Sequence, residues 1–354
     1  MKTQTYHVLG VMSGTSLDGI DLCCARFNYS DRWDYQILKA KTINYTSDWV
    51  NRLRNATTLN IQALENLNVD YTAYLGAVIN QFIDEEKIEE LDAVCSHGHT
   101  IFHQPENQLT LQIGNLQSLA SIIKQRIVCD FRVQDVALSG QGAPLVPIGD
   151  KYLFSEFDFC LNLGGFANGS FDINNERIAF DICPVNIVLN HYVHFLGFDY
   201  DDEGKIASAG QINDGLLKKL NALGFYKENS PKSLGYEWVS SVIFPVINVF
   251  NLSVEDILRT FIEHIAVQIG IEINRSKKSS ILITGGGVFN SFLIERIGYY
   301  TKSKINIPKG ELIEFKEALI FGFLGILRLR KEVNCLSSVT GANQDHSSGK
   351  IFLP

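Results

Sequence analysis

Three glycine-rich breaks and a few acidic residues are the places in this sequence where chemistry could sit. Ser13-Gly14-Thr15-Ser16-Leu17-Asp18-Gly19 interrupts one apolar run, Gly164-Gly165-Phe166-Ala167-Asn168-Gly169 a second, and Gly285-Gly286-Gly287 a third. Glycine lets a backbone approach a ligand closely, and successive N–H groups can then point at an anion, so such turns suit phosphate. The first break adds hydroxyls at Thr15 and Ser16 and a carboxylate at Asp18. A carboxylate beside a phosphate cradle repels the anion unless a cation stands between them, and Mg²⁺ held through its waters answers that need. One such turn alone reads as a tight hairpin with hydrogen-bonding side chains. Three in one chain point to a nucleotide. The P-loop pattern G-x-x-x-x-G-K-[ST] is absent, and G-x-G-x-x-G spacing fails at Asn290.

Asp181 follows an apolar run and precedes Pro184. A carboxylate at the end of a buried strand loses solvation, which raises its pKa toward that of a useful general base. The same position suits a turn aspartate or the cap of the helix that follows. Glu317 opens the first turns of an apolar helix, where the helix dipole favours an acid in any case. His97 and His99, two apart, would lie on one side of a strand, which allows a metal pair or hydrogen bonding at a binding site.

These groups must be held by regular elements. Residues 7–12 and 20–27 flank the first break with strand-type residues, and 157–163 and 170–173 flank the second, so both read as hairpins. Residues 280–284 lead through the third into a helix over 288–297, with Phe289, Leu293 and Ile297 at helical spacing. Further helices are predicted over 61–90 (one or two), 254–275 and 314–331. Ser253 caps the second of these, Ile257, Phe261, Ile265, Ile269 and Ile273 form its stripe, and the last is apolar nearly all round. Strands alternating with helices indicate an α/β fold. The two hairpins, far apart in the chain, suggest a duplicated domain. The expected division is 1–140 with roughly 335–354, and 141–334, placed by the glycines and prolines over 141–147.

The chain has 354 residues, enough for two domains, with 45% hydrophobic and 20% charged residues. A formal net charge of −8 without a long basic run argues against a nucleic-acid ligand. Seven cysteines, an odd number with no C-x-x-C, predict buried free thiols in a reducing compartment, and their spacing offers no zinc-ligand pattern. The longest apolar run is far shorter than a membrane span, and residues 8–12 are too few for a signal peptide, so a cytoplasmic protein is expected.

Taken in order, the motifs resemble the anhydro-N-acetylmuramic acid kinase family. Met12-Ser13-Gly14-Thr15-Ser16-Leu17-Asp18-Gly19-Ile20-Asp21 is similar to its opening signature. Ser96-His97-Gly98-His99-Thr100, Asp130-Phe131-Arg132, Gly140-Gln141-Gly142-Ala143-Pro144, Asn162-Leu163-Gly164-Gly165, Pro231-Lys232-Ser233, Gly285-Gly286-Gly287, Glu317-Ala318 and Val339-Thr340-Gly341-Ala342 follow in family order. The resemblance implies two actin-like (ribonuclease H-like) domains related by duplication, with an interdomain cleft, and a homodimer. It implies ATP and Mg²⁺, the metal near Asp18 through water rather than bound directly. The implied reaction opens 1,6-anhydro-N-acetylmuramic acid with water and phosphorylates O6, in peptidoglycan recycling. By the same resemblance Asp181 is the base that activates water. Gly14, Thr15, Ser16, Leu17, Asp18, Gly19, Ile20 and Asp21 form the ATP-phosphate loop, and Gly164 and Gly165 the second phosphate turn. Gly285, Gly286, Gly287 and Asn290 face the adenosine, while Ser13, His97, Arg132 and Glu317 contact the sugar. Arg132 suits the lactyl carboxylate of a muramic acid.

The chain departs from the family pattern after the aspartate. Asp181-Ile182-Cys183-Pro184-Val185-Asn186 stands where Asp-Thr-Gly-Pro-Gly-Asn is common, and Gly235-Tyr236-Glu237 replaces Gly-Arg-Glu. A kinase of another anhydrosugar such as levoglucosan, or a nucleotide-binding regulator without catalysis, are the alternatives.

Overall fold

A computed structural model describes residues 3–14, 16–229 and 232–354. The chain divides into two units, one formed by Met1–Leu153 with Phe315–Pro354 and the other by Phe154–Glu314. The expected boundaries at 140 and 335 both shift, because two helices belong with the first unit. The helix Pro147–Leu153 packs Gly149 under Ile320, and the helix Leu312–Leu329 lies directly on the first sheet.

The first sheet contains β1 (Gln4–Ser13), β2 (Gly19–Tyr29), β3 (Trp33–Asn44), β4 (Ala93–Gln104), β5 (Leu109–Ile113) and β6 (Ile127–Cys129). The second contains β7 (Phe159–Leu163), β8 (Phe166–Ile173), β9 (Glu176–Pro184), β10 (Ser280–Thr284) and β11 (Lys304–Asn306), and β12 (Lys350–Phe352) returns to the first. The first three strands of each unit are antiparallel neighbours, β1-β2-β3 and β7-β8-β9. A parallel pair then adds beside the first strand of each, β4 with β6 next to β1, and β10 with β11 next to β7. Both sheets therefore run in the order third, second, first, fourth, fifth. In the first unit β5 extends β4 and β12 pairs with β6, both antiparallel.

Both predicted hairpins form. The second is tighter than expected, because β8 resumes at Phe166 and leaves only Gly164 and Gly165 in the turn. Gly169 is a packing glycine within β8. A Cβ there would stand 2.5 Å from the Phe159 ring. The helix Ile61–Glu85 stops short of residue 90, where Lys87 turns to positive φ and the chain enters β4. The helix Val254–Ser276 starts as its sequence indicates, with Ser253 Oγ accepting from the Asp256 N–H at 3.2 Å. After β10 the third glycine break forms a 3₁₀ turn, and the helix begins only at Ser291. Phe289 thus falls outside the helical stripe and is exposed.

Strand β1 is buried on both faces. Leu9 and Val11 join Leu67, Tyr71, Leu75 and Ile79 of the helix Ile61–Glu85 in one core. On the other face lies the helix Leu312–Leu329, and Gly10 is what admits it: a Cβ there would stand 1.8 Å from the Ala318 carbonyl oxygen. Gly322 and Gly325 approach Val8 and Cys95 in the same way. All seven cysteines are buried. Among the described residues no helix is long and apolar enough to cross a membrane.

Gly10→Ala is expected to lower stability by on the order of 1–3 kcal/mol or more through overpacking against backbone. Gly298→Ala, whose new methyl meets only Ile305 Cδ1 at 3.7 Å, is not expected to lower it. Thermal melts of the two variants beside the parent check the contrast.

Candidate active site

In the first unit the site builds around Arg132. The guanidinium is half-buried where β6 leads into the short helix Val133–Ala137. Its Nε donates to His97 Nε2 at 2.9 Å, and its Nη1 donates to the Gly142 carbonyl at 2.6 Å. His97 Nε2 is therefore an acceptor, so the ring proton sits on Nδ1 and donates to the Gly98 carbonyl at 2.9 Å. Burial, with Arg132 beside it, holds the His97 pKa well below the usual histidine range, so the ring stays neutral. Both of its nitrogens are engaged, which removes it as a metal ligand. Gly98 has φ +74°, and the β1–β4 register shifts there, so His99 takes different partners from His97. Its Nδ1 lies 2.8 Å from Ser13 Oγ, which also bonds Tyr45 OH at 2.6 Å, and Tyr45 OH meets Tyr71 OH at 2.6 Å. Burial lowers the His99 pKa to about 4.

Glu317 is exposed and lies in the field of Arg132. The surrounding protein raises its pKa, while Arg132 opposes the rise. The neighbouring Lys316 turns away and pairs with Asp150 at 2.7 Å. Ser13, His97, Arg132 and Glu317 thus all belong to the first unit, with His97 bonded to Arg132 and Ser13 to His99.

The loop between β1 and β2 carries the first glycine break. Thr15 lies outside the described residues. Leu17 adopts φ +62°, which closes the turn, and its N–H reaches the Gly14 carbonyl. Asp18 is exposed, and its Oδ1 accepts from Ser16 Oγ at 2.7 Å and from the Gly19 N–H at 3.0 Å. An exposed carboxylate braced in this way fits a hydrated cation. Gly19 and Ile20 are buried in β2. Asp21 Oδ1 accepts from Thr42 Oγ1 at 2.6 Å on β3, so this carboxylate is tied to the sheet.

In the second unit two glycine turns meet. The Gly164 carbonyl accepts from the Asn186 N–H and the Gly165 carbonyl from the Ile187 N–H, which seats the turn on the helix Asn186–Val193. Gly285, at φ +87°, and Gly287 press on Leu163 at the end of β7, where added Cβ atoms would fall 2.8 Å and 2.7 Å from its atoms. These two glycines are needed for packing. Gly165 and Gly286 are not: a Cβ on Gly165 would meet nothing nearer than 3.9 Å, and one on Gly286 nothing within 4 Å. Glycine leaves open backbone at these two places, which fits close approach by a phosphate-bearing ligand. Asn290 follows the 3₁₀ turn directly. Its Oδ1 caps the helix Ser291–Tyr300 by accepting from the Leu293 N–H at 2.9 Å.

Asp181 stands inside β9, which continues through Pro184, and is neither a turn residue nor the helix cap. The strand rise puts it about 10 Å from Pro184, which faces Phe166 beside the glycine turn. Burial raises its pKa to about 6, against one opposing hydrogen bond from the Leu234 N–H to Oδ2 at 2.8 Å. Among the described residues Oδ1 has no hydrogen-bond partner. The Asp181 N–H donates to the Lys232 carbonyl, so residues 232–234 hold Asp181 by its main chain and by its carboxylate. Lys232 itself points inward, over the Phe225 ring at 4.7 Å and 3.7 Å from Glu272. The spacing of the sequence gives no sign that this segment supports Asp181. Ile182, Cys183 and Val185, the departures from the family pattern, are buried in the core.

The model of the family "Anhydro-N-acetylmuramic acid kinase" matches residues 6–354. The chain belongs to this family. It is thereby an ATP-dependent sugar kinase. A protein named anhydro-N-acetylmuramic acid kinase from Haemophilus influenzae is 31% identical, covering 99% of this chain and 98% of its own length. Its namesake from Francisella tularensis subsp. novicida is also 31% identical, with 98% of each covered. Among solved structures, the activator of 2-hydroxyisocaproyl-CoA dehydratase from Clostridium difficile with bound ADPNP aligns over 92% of this chain and 98% of its own, at 15% identity and TM-score 0.42. A ROK family glucokinase from Streptomyces griseus with glucose and AMPPNP aligns over 90% and 98%, at 10% identity and TM-score 0.40.

Gly165→Ala and Gly286→Ala should fold with the parent's melting temperature, since both have room for the methyl. Each is expected to raise the KM for ATP by at least ~10-fold if the open backbone receives phosphate, a loss comparable to one charge-assisted hydrogen bond. Steady-state kinetics with ATP as the varied substrate decide it.

Proposed function

We propose that this kinase converts 1,6-anhydro-N-acetylmuramic acid, ATP and water into N-acetylmuramic acid 6-phosphate and ADP, in the recycling of peptidoglycan fragments. The observation that carries the reading is Asp181, a carboxylate with a raised pKa and one oxygen without a hydrogen bond among the described residues, in a chain that matches the kinase family almost end to end. Asp181 Oδ1 takes a proton from water as the water oxygen attacks the anomeric carbon. The bond from that carbon to O6 breaks, and O6 accepts the γ-phosphoryl group. Little covalent work is asked of the protein beyond this, because phosphoryl transfer rests on positioning and charge stabilisation.

The remaining roles divide between the units. In the first, Arg132 binds the lactyl carboxylate through Nη2, the guanidinium nitrogen without a hydrogen bond among the described residues. Ser13, His97 and Glu317 complete the sugar contacts. The loop from Gly14 to Asp21 faces the phosphates. Mg²⁺, carried through water near Asp18, would neutralise charge on the β- and γ-phosphates. In the second unit Gly165 and Gly286 leave backbone open to the nucleotide, and Gly164 completes the same phosphate turn. The shared strand order of the two sheets supports descent by duplication as an actin-like pair. A cytoplasmic homodimer is part of the same reading.

Two experiments test it. Burial raises the folded-state pKa of Asp181 from 3.8 to about 6. As a base it must be ionised, so kcat/KM should fall as pH drops below about 6. The same shift favours folding fully below about pH 4, and that contribution is lost as pH rises through about 6. Asp181→Asn should therefore turn over at least ~100-fold slower and lose the acid limb. It should also melt higher than the parent above pH 6, with no gain below pH 4. Near-normal turnover by the variant would move the base elsewhere.

The second experiment compares ADP release with anhydro-N-acetylmuramic acid and with levoglucosan. Arg132→Met should raise the KM for the first by roughly 10–100-fold, the worth of a hydrogen bond to a charged group, and leave the neutral sugar unaffected. Absence of ADP with the muramic sugar under ATP and Mg²⁺ would remove the proposal.

A further inference from the structure

The first unit gathers three metal-type donors that are distant in sequence. Asp135, Cys335 and His346 are all buried, and one ligand atom from each lies within 4.8 Å of the other two. Cys335 and His346 face each other across an antiparallel bridge, each N–H donating to the other's carbonyl at 3.1 Å. Asp135, in the helix Val133–Ala137 that follows Arg132, comes up beside them.

His346 gives the second observation. Its Nδ1 lies 3.1 Å from the Gln344 carbonyl, which places the ring proton there and leaves a lone pair on Nε2. Among the described residues that Nε2 has no hydrogen-bond partner, and the residue is buried, at 6% exposed. Its nearest acidic atom, Asp135 Oδ1, stands 3.6 Å away. This is too long for a hydrogen bond. It suits two ligands of one tetrahedral ion, which at bond lengths of about 2.0–2.3 Å sit roughly 3.3–3.6 Å apart. The carboxylate is already oriented: Oδ1 accepts from Thr340 Oγ1 at 2.7 Å and Oδ2 from the Gly142 N–H at 2.6 Å. A thiolate and a carboxylate would balance a divalent charge, and the imidazole would bind neutral.

We propose that Asp135, Cys335 and His346 form a binding site for a borderline-soft divalent cation of the Zn²⁺ class. Binding forms a bond from the metal to Cys335 Sγ and releases the thiol proton to solvent. A water completes the tetrahedron. The site is structural: it pins the hairpin of Cys335 and His346 to the helix that begins at Arg132. Through Gly142, which takes a bond from Arg132 and gives one to Asp135, it steadies the arginine as well. It is separate from any Mg²⁺ that accompanies ATP. The spacing of the cysteines did not disclose it, because its ligands come from three segments.

The test uses the whole enzyme. Protein purified without chelator is analysed for zinc by mass spectrometry. Metal-stripped protein is then titrated with Co²⁺ alone, following the thiolate-to-cobalt absorption band, proton release and melting temperature. One equivalent of metal is expected, with one proton released and a raised melting temperature. Cys335→Ser should abolish the band. His346→Ala should weaken binding by at least ~100-fold, beyond the ~10–100-fold typical of a lost outer-shell partner. If the parent shows no band and no rise in melting temperature with Co²⁺ or Zn²⁺, the proposal fails even should both variants be unfolded. A band that survives in Cys335→Ser overturns it equally.

Discussion

The absence of a side chain at Gly10 is the constraint on which the first unit turns. It lets the helix Leu312–Leu329 lie with its backbone against β1, where any Cβ would meet the Ala318 carbonyl. Glu317 is the residue before Ala318, so the close approach also sets where that carboxylate emerges. One turn further on, Phe321 packs its ring 4.8 Å from His97 and 5.7 Å from Phe131. The residues on either side of Arg132 are thereby held by a contact that carries no charge. At its far end β1 runs into Ser13 and the glycine loop. One steric allowance thus places the helix, the acid and the start of the glycine loop together.

Charge at the site is sparse and directed. His97 and His99 are kept neutral by burial, and the tautomer of His97 follows from its bond to Arg132. A neutral acceptor beside the guanidinium costs less than a second cation would and leaves the positive charge of Arg132 uncancelled. Glu317 opposes it from the neighbouring helix. A site built in this way favours an anion at Arg132 without presenting a broad basic surface, in keeping with an overall net charge of −8.

The second unit uses burial differently. Asp181 is made more basic by loss of water rather than by a neighbouring negative charge. Its support is backbone: the chain at Lys232 and Leu234 takes its N–H and gives one to its carboxylate. A carboxylate held by main chain keeps its direction when nearby side chains change. Apolar residues at Ile182, Cys183 and Val185 can therefore replace smaller ones of the family pattern while the aspartate stays in β9.

The sequence by itself determined whatever depends on short-range sterics and periodicity. Both hairpins, the helix capped by Ser253, the buried thiols and the family signature were legible because glycine turns, caps and apolar stripes act within a few residues. It misjudged Phe289, Gly169 and the two unit boundaries, where packing against distant elements overrides the local pattern. Only the tertiary structure decided which glycines are packing residues and which leave backbone open, since that turns on what a Cβ would meet. It alone joined Asp181 to residues 232–234 and His97 to Arg132, and gathered Asp135, Cys335 and His346. Those outcomes rest on burial and on contacts between remote segments, and linear spacing carries neither.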